Sequence, residues 1–235
     1  MTTDRDRDAE KALAGRAAVA EVRDGMLVGL GTGSTAAHAI RALGERVAGG
    51  LTIRAVATSR ASEAQARALG IAVLDFADVP RIDLTIDGAD QIDPRLYAVK
   101  GAGGAMLREK VVAAASDRMV VIADASKRVT AIGGVRTPVE ILPFARASVL
   151  AALDGASVPG GDAALRMRDG APYVTDNGNW IADCRFDLND PMETAAWLDG
   201  IPGVLGHGLF LAEVDAAYVA DGTVVSRLER DDTSR

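Results

Sequence analysis

Apolar residues in this chain follow two rhythms. Short apolar runs, each bounded by polar or turn-forming residues, occur at 26–30, 51–57, 71–76, 82–86 and 119–123 and read as buried strands. Between them, apolar residues recur at helical spacing over 11–23, 35–47, 59–69 and 105–115. This alternation predicts an α/β fold, Rossmann-like, with a mostly parallel sheet and helices on both faces.

The rhythm changes after Gly134. A strand at 139–144 and a helix at 146–153 lead into strands at 165–168, 172–175 and 180–186. Tight turns join the last three, at Asp169-Gly170 and Asp176-Asn177-Gly178-Asn179. A helix follows at 191–198, and strands at 212–219 and 223–228 return to the first unit. The expected division is an α/β domain of residues 1–131 and 207–235, with a smaller inserted α+β domain at 132–206 carrying an antiparallel sheet. Residues 230–235 read as a loose tail.

Composition narrows the function. The 235 residues are 49% apolar but only 4% aromatic, so the core must be built from Ala, Val, Leu and Ile. The net charge of −7 argues against a nucleic-acid partner, and an anionic substrate would need a local positive site. Cys184 is the only cysteine, so no intrachain disulfide can form and a reducing compartment is expected. No apolar run approaches the roughly 18 residues of a membrane span. The charged N-terminal stretch lacks a signal core. The expected setting is cytoplasmic.

Four segments could carry chemistry. Gly29-Leu30-Gly31-Thr32-Gly33-Ser34-Thr35 joins a strand to a helix, where free amides and the helix dipole suit a phosphate. A plain turn with a Ser/Thr helix cap is the competing reading. The segment is neither G-x-G-x-x-G nor a P-loop, which disfavours dinucleotides and ATP. Asp87-Gly88-Ala89-Asp90-Gln91-Ile92-Asp93 follows a buried strand, where open α/β sheets place ligands, and its carboxylates could bind sugar hydroxyls or shuttle protons. Alternatively it is a solvated acidic turn. Lys100-Gly101-Ala102-Gly103-Gly104 opens the next helix, and its amides with Lys100 could stabilise an oxyanion. That helix reads as apolar nearly all round, so the fan of Arg108, Glu109 and Lys110 must turn at least one charge toward a cavity or a partner. A structural ion pair within the fan is the alternative. Lys127 or Arg128, after the strand at 119–123, could hold an anion. Two distant histidines, His38 and His207, and the lone cysteine give no metal-ligand spacing, so no catalytic metal is expected.

Together these segments resemble type A ribose-5-phosphate isomerase. The resemblance rests on the ordered set GLGTGSTA (29–36), DGADQID (87–93), KGAGGAMLREK (100–110), IADASK (122–127) and TDNGN (175–179). It implies interconversion of ribose 5-phosphate and ribulose 5-phosphate in the pentose phosphate pathway, without metal or organic cofactor, in a homodimer or homotetramer. It implies three substrate-binding loops: Thr32, Gly33, Ser34 and Thr35; then Asp87, Gly88, Ala89 and Asp90; then Lys100, Gly101, Ala102 and Gly103. Glu109 matches the catalytic base, with Asp87 and Lys100 beside it. Lys127 matches a further substrate-binding lysine, and Lys11 an N-terminal phosphate-holding lysine. Gln91 stands where the family commonly has Glu, and Ala102 where it commonly has Gly. A non-catalytic sugar-phosphate sensor, or a related deaminase or lactonase, is the rival reading. A sensor would need neither Glu109, Asp87 and Lys100 together nor a proton acceptor. A deaminase or lactonase would want a differently placed acid–base group, often a histidine.

Overall fold

The computed structural model describes residues 4–155 and 163–230. In chain order the first half runs α1 (Asp4–Val19), β1 (Leu27–Leu30), α2 (Ser34–Ala48), β2 (Arg54–Ala57), α3 (Arg60–Ala68), β3 (Ala72–Val73), β4 (Leu84–Gly88), β5 (Gln91–Ile92), β6 (Ala98–Val99), α4 (Met106–Ala114) and β7 (Met119–Asp124). The second half runs β8 (Thr137–Ile141), α5 (Arg146–Gly155), β9 (Ala163–Leu165), β10 (Met167–Arg168), β11 (Ala171–Pro172), β12 (Trp180–Cys184), α6 (Pro191–Asp199), β13 (Val204–His207), β14 (Leu209–Phe210), β15 (Ala216–Asp221) and β16 (Val224–Glu229).

Seven strands form the main sheet in the order β16-β15-β7-β4-β1-β2-β3. Every neighbouring pair is parallel except β15 with β16. All four residues of β1 and all six of β7 are buried, as expected for central strands covered on both faces. Along β7 the side chains alternate. Val120 and Ile122 face a core shared with Ala14, Ala18, Ile40 and Leu43 of α1 and α2, while Met119, Val121 and Ala123 pack with Met106, Ala113 and Phe210. Small residues let the layers close up. A Cβ on Gly15 would lie 3.0 Å from the backbone N of Ala39, so α1 and α2 touch backbone to backbone there. The chain leaves β1 toward β2 on one side and reaches β4 on the other. The strand order thus reverses between β1 and β4, which opens a crevice at their carboxyl ends.

A second, four-stranded antiparallel sheet has the order β13-β8-β12-β9. Val139, Ile141, Ala182 and Cys184 pack with Val149 and Leu153 of α5 and Leu198 of α6, and this core also takes in Val99, Leu209 and Leu211. The Asp-Gly turn between β10 and β11 has φ of 53° at Asp169 and 79° at Gly170, as a two-residue hairpin turn requires. A three-stranded sheet, β14-β6-β5, contributes Ile92, Ala98 and Phe210 to the core beside β7 and Val99 and Leu209 to the core of the antiparallel sheet.

Several boundaries differ from the sequence reading, for identifiable reasons. Helix α1 runs 4–19 rather than 11–23, because the charged first turns are helical too, with Arg7 paired to Asp4 at 3.5 Å. The strand expected at 139–144 is β8 at 137–141, and Pro143 starts a short 3-10 turn instead. The strand expected at 71–76 shrinks to Ala72–Val73, followed by a 3-10 turn capped by Asp75. The strand expected at 212–219 starts at Ala216. Helix α4 is not buried all round as its apolar pattern suggests, because Val111 is 46% exposed. The expected tail beyond residue 230 lies outside the described residues.

Candidate functional site

The loop after β1 is shaped by a buried carboxylate. A Cβ on Gly31 would collide with the Asp87 carboxyl group, so only glycine lets the two strand ends approach. Asp87 Oδ1 accepts the Thr32 amide at 3.0 Å and the Gly88 amide at 2.7 Å. Gly33, at φ 100°, is the residue before α2, and no side chain caps the helix. The Ser/Thr cap weighed from sequence is therefore absent. The first-turn amides of this 15-residue helix face the crevice, with Lys11 Nζ 3.1 Å from Ser34 Oγ beside them.

The centre of the site is a buried triad. Lys100 Nζ lies 3.0 Å from Asp87 Oδ2 and 3.2 Å from Glu109 Oε2, and it also donates to the Gly88 carbonyl. Asp87 is fully buried, and Lys100 and Glu109 are 2% and 4% exposed. One cation serves two carboxylates, so an excess negative charge remains in a dry place. Burial, then the charge of Asp87, raises the Glu109 pKa to about 8, against the partial counter-effect of Lys100. Burial raises Asp87 as well, opposed by Lys100 and by the two amides. Burial pulls Lys100 down, but its two carboxylate partners more than offset this and hold its pKa above the usual lysine value. Glu109 pairs with Lys100 from another segment, not with its neighbours Arg108 or Lys110, so the fan resolves in favour of the cavity.

The third loop closes the site. Lys100 N donates to Gly208 O at 2.8 Å, and a Cβ on Gly208 would strike that same lysine's carbonyl. Asp90 Oδ2 accepts the Ala102 amide at 2.9 Å, tying the second loop to the third. A cavity of about 240 Å³ results. It is lined by Lys11, Thr32, Gly33, Ser34, Thr35, Gly88, Ala89, Asp90, Lys100, Gly101, Ala102, Gly103, Glu109 and Lys127. Of the catalytic and substrate-binding residues that the resemblance implies, only Asp87 is off the lining, its carboxylate 3.0 Å from Lys100 Nζ. The other acidic residue of that segment, Asp93, instead closes the turn between β5 and β6, accepting the Arg95 and Tyr97 amides and the Arg95 guanidinium. Gln91 donates to Gly133 O and accepts from Gly133 N, both at 2.9 Å. A carboxylate could make only the second of these bonds.

A larger groove, about 690 Å³, lies on the opposite side of α4 between Arg60, Phe76 and Val111. It contains no buried pair of titratable groups, so proton chemistry belongs to the smaller cavity. Among the described residues no three His, Cys, Asp or Glu side chains converge as metal ligands, and the point between Asp87 and Glu109 is filled by Lys100 Nζ. Sequence reasoning missed Arg166 and Tyr173, which reach the third loop from the antiparallel unit.

An open α/β sheet with an uncapped helix N-terminus, flanking lysines and a buried carboxylate–ammonium–carboxylate triad defines an enzyme class. Its members hold a small phosphate ester by one end and move protons at the other. Among families of that class, the one described as ribose 5-phosphate isomerase A (phosphoriboisomerase A) matches residues 54–223. A relative of that name from Sphingopyxis alaskensis is 51% identical over 218 residues, 92% of this chain and 94% of the relative. One from Bradyrhizobium diazoefficiens is 44% identical, covering 95% and 96%. The solved ribose 5-phosphate isomerase A of Methanocaldococcus jannaschii superposes with a TM-score of 0.89 at 36% identity, covering 94% of this chain and 99% of that one. A D-ribose-5-phosphate isomerase in complex with phospho-erythronic acid gives 0.90 at 33%, covering 95% and 99%. The chain belongs to the ribose 5-phosphate isomerase A family. Among the described residues no helix is long and apolar enough to cross a membrane.

Proposed function

We propose that this protein interconverts D-ribose 5-phosphate and D-ribulose 5-phosphate through a cis-enediolate, in the non-oxidative pentose phosphate pathway. The observation that carries the reading is Lys100 held between Asp87 and Glu109 at the edge of a phosphate-ready cavity. The phosphate sits on the amides of Thr32 to Thr35, with Lys11 and Lys127 supplying positive charge. Anchoring it there fixes the sugar so that C1 and C2 reach Glu109. The Glu109 carboxylate removes the C2 proton, and the electron pair moves into the C1–C2 bond as the C1 carbonyl oxygen gains negative charge. A proton passes from O2 to O1, with Asp87 as the shuttle acting through Lys100, which stands between it and the cavity. Glu109 then returns its proton to C1, leaving the ketone at C2. One base serves both carbons because they are adjacent.

Lys100 and the glycine amides of the 101–103 loop stabilise the oxyanion, the Ala102 amide being held by Asp90, and Asp87 also assists ring opening. A base whose conjugate acid has a pKa near 8 is better matched to a weakly acidic C–H than an ordinary carboxylate. No metal enters this scheme, since Lys100 supplies the positive charge between the two carboxylates. The sensor reading leaves the triad without a purpose, and the deaminase or lactonase reading lacks an acid–base group outside it.

We also place the protein in the cytoplasm as a homodimer or homotetramer, without nucleic-acid or membrane partners. We take residues 1–131 with 207–235, and 132–206, as its two domains. The test of the function is turnover of ribose 5-phosphate after exhaustive chelation. Activity that vanishes with chelator and returns with Mg²⁺, Mn²⁺ or Zn²⁺ overturns the mechanism.

A further inference from the structure

Three consecutive carbonyls of the third loop are held from outside the main sheet. Arg166 Nη1 donates to Gly101 O at 3.0 Å and to Ala102 O at 3.0 Å, and the Tyr173 hydroxyl donates to Gly103 O at 3.2 Å. Both side chains are themselves fixed. Asp183 grips the Arg166 guanidinium with two bonds, Nε to Oδ2 at 2.9 Å and Nη2 to Oδ1 at 2.5 Å. Tyr173 N donates to Arg166 O at 2.8 Å, so the two residues are paired through the backbone. The Tyr173 ring also packs where a Cβ on Gly104 would lie.

A trans peptide points its C=O and the following N–H in opposite directions. With the Ala102 carbonyl drawn to Arg166, the Gly103 N–H points the other way, and Gly101 to Gly103 line the cavity. Released, the peptide between Ala102 and Gly103, whose flanking amides stay bonded to Asp90 and Gly101, could rotate about Gly103 and present the Ala102 carbonyl where the enediolate carries charge. We infer that Arg166 and Tyr173 are positioning residues for the isomerisation: they turn the carbonyls of residues 101–103 out of the site, so that the Gly103 N–H faces the developing oxyanion, the Ala102 amide being taken by Asp90 and the Gly104 amide by Gly101 O. This inference rests on the function proposed above.

The experiment compares Arg166→Met, Arg166→Lys and Tyr173→Phe with the parent protein, well below their melting temperatures. Displacing one oxyanion donor rather than deleting it predicts a fall in kcat of about 10–100-fold for Arg166→Met. KM for ribose 5-phosphate stays within about threefold, because the phosphate end touches none of these groups. Arg166→Lys recovers part of kcat, since an ammonium can hold one carbonyl, and Tyr173→Phe loses about threefold to tenfold, as one of three tethers goes. Phospho-erythronic acid binds Arg166→Met about tenfold more weakly, while inorganic phosphate binds as it does to the parent. Unchanged kcat and unchanged phospho-erythronic acid binding in Arg166→Met and Tyr173→Phe, even with a lowered melting temperature, would overturn the inference. So would equal weakening of both ligands. A parent protein that fails to isomerise ribose 5-phosphate sinks the functional reading itself, and the inference with it, which is a different result from an active parent with indifferent variants.

Discussion

Two lysines of this chain, Lys100 and Lys110, approach the ring of the same buried phenylalanine and meet opposite fates. Lys100 Nζ lies 5.4 Å from the Phe210 ring centroid and Lys110 Nζ 4.8 Å, both within reach of a cation–π attraction. Burial lowers the pKa of each. For Lys100 two buried carboxylates reverse the effect, and the group is held above the usual lysine range. Lys110 has Glu213, 3.5 Å away, and the weaker pull of Asp199, besides the Leu209 carbonyl and His207 Nδ1 at 3.4 Å; these do not offset burial, and its pKa stays below that range. Next to it, burial and then the Lys110 charge push His207 down to about 3, so that imidazole is neutral. The shared ring therefore does not decide which way a lysine's pKa moves; the number of desolvated carboxylates in contact does. Glu109 and Lys110 are sequence neighbours on α4, so about 100° of helix rotation separates a proton-transfer site from a structural cluster.

Substitutions around the two lysines rank by expected effect. Glu109→Gln should fold and bind ribose 5-phosphate yet lose at least about 10²-fold in kcat, the low end for a lost general base; near-parental turnover would remove Glu109 from the mechanism. Lys100→Met should cost about 10²–10³-fold in kcat, the range for one oxyanion donor. It should also lower the melting temperature, because two buried carboxylates lose their cation. Asp87→Asn should reduce turnover more than stability. The reverse pattern, a large drop in melting temperature with turnover intact, would make Asp87 purely structural.

The pH dependence follows from the direction of the shifts. The base must be ionised, so kcat/KM of the free enzyme should rise with pH up to a midpoint near 8. A midpoint near the ordinary glutamate value would contradict the buried triad. For stability the sign runs the other way. Native Glu109 keeps its proton to about 8 while the unfolded chain releases it near 4.5, so its contribution is full below 4.5 and is lost as pH rises through 8. Glu109→Gln should flatten that part of the stability profile. The smallest effect is expected at Lys110→Met, with turnover within about twofold and stability within about 1 kcal/mol. A loss of turnover comparable to that of Lys100→Met would dissolve the contrast between the two lysines.

Much of the site was legible because it is built at strand ends, where glycines and charged residues interrupt apolar runs. Gly31 to Thr35, Asp87 to Asp90, Lys100 to Gly103 and Lys127 all stand out that way. The wide charge fan on α4 also announced that one of its residues must face inward, and Glu109 does. What the sequence hid were contacts made by pairing across long separations. Strands β5, β6 and β14 have two residues each, too short for any periodicity, yet β14 carries Phe210 and β6 leads directly into Lys100. Arg166 and Tyr173 lie in a segment whose pattern says only "hairpin", and nothing local marks either side chain as aimed at another sheet. Asp87 was legible as a site residue but not as a buried one; its depth comes from the missing Cβ at Gly31 and from Lys100 above it.

The tethering of the third loop also sets a schedule. Gly101 and Ala102 are held by a residue 65 and 64 positions later, and Gly103 by one 70 positions later. At about 5–20 residues per second, a ribosome needs on the order of 3–14 s to make that stretch. A nascent chain can thus carry all three glycine loops, the base and both of its partners while its oxyanion pocket is still unset. Competence comes only when the late antiparallel segment folds back onto a loop made well before it.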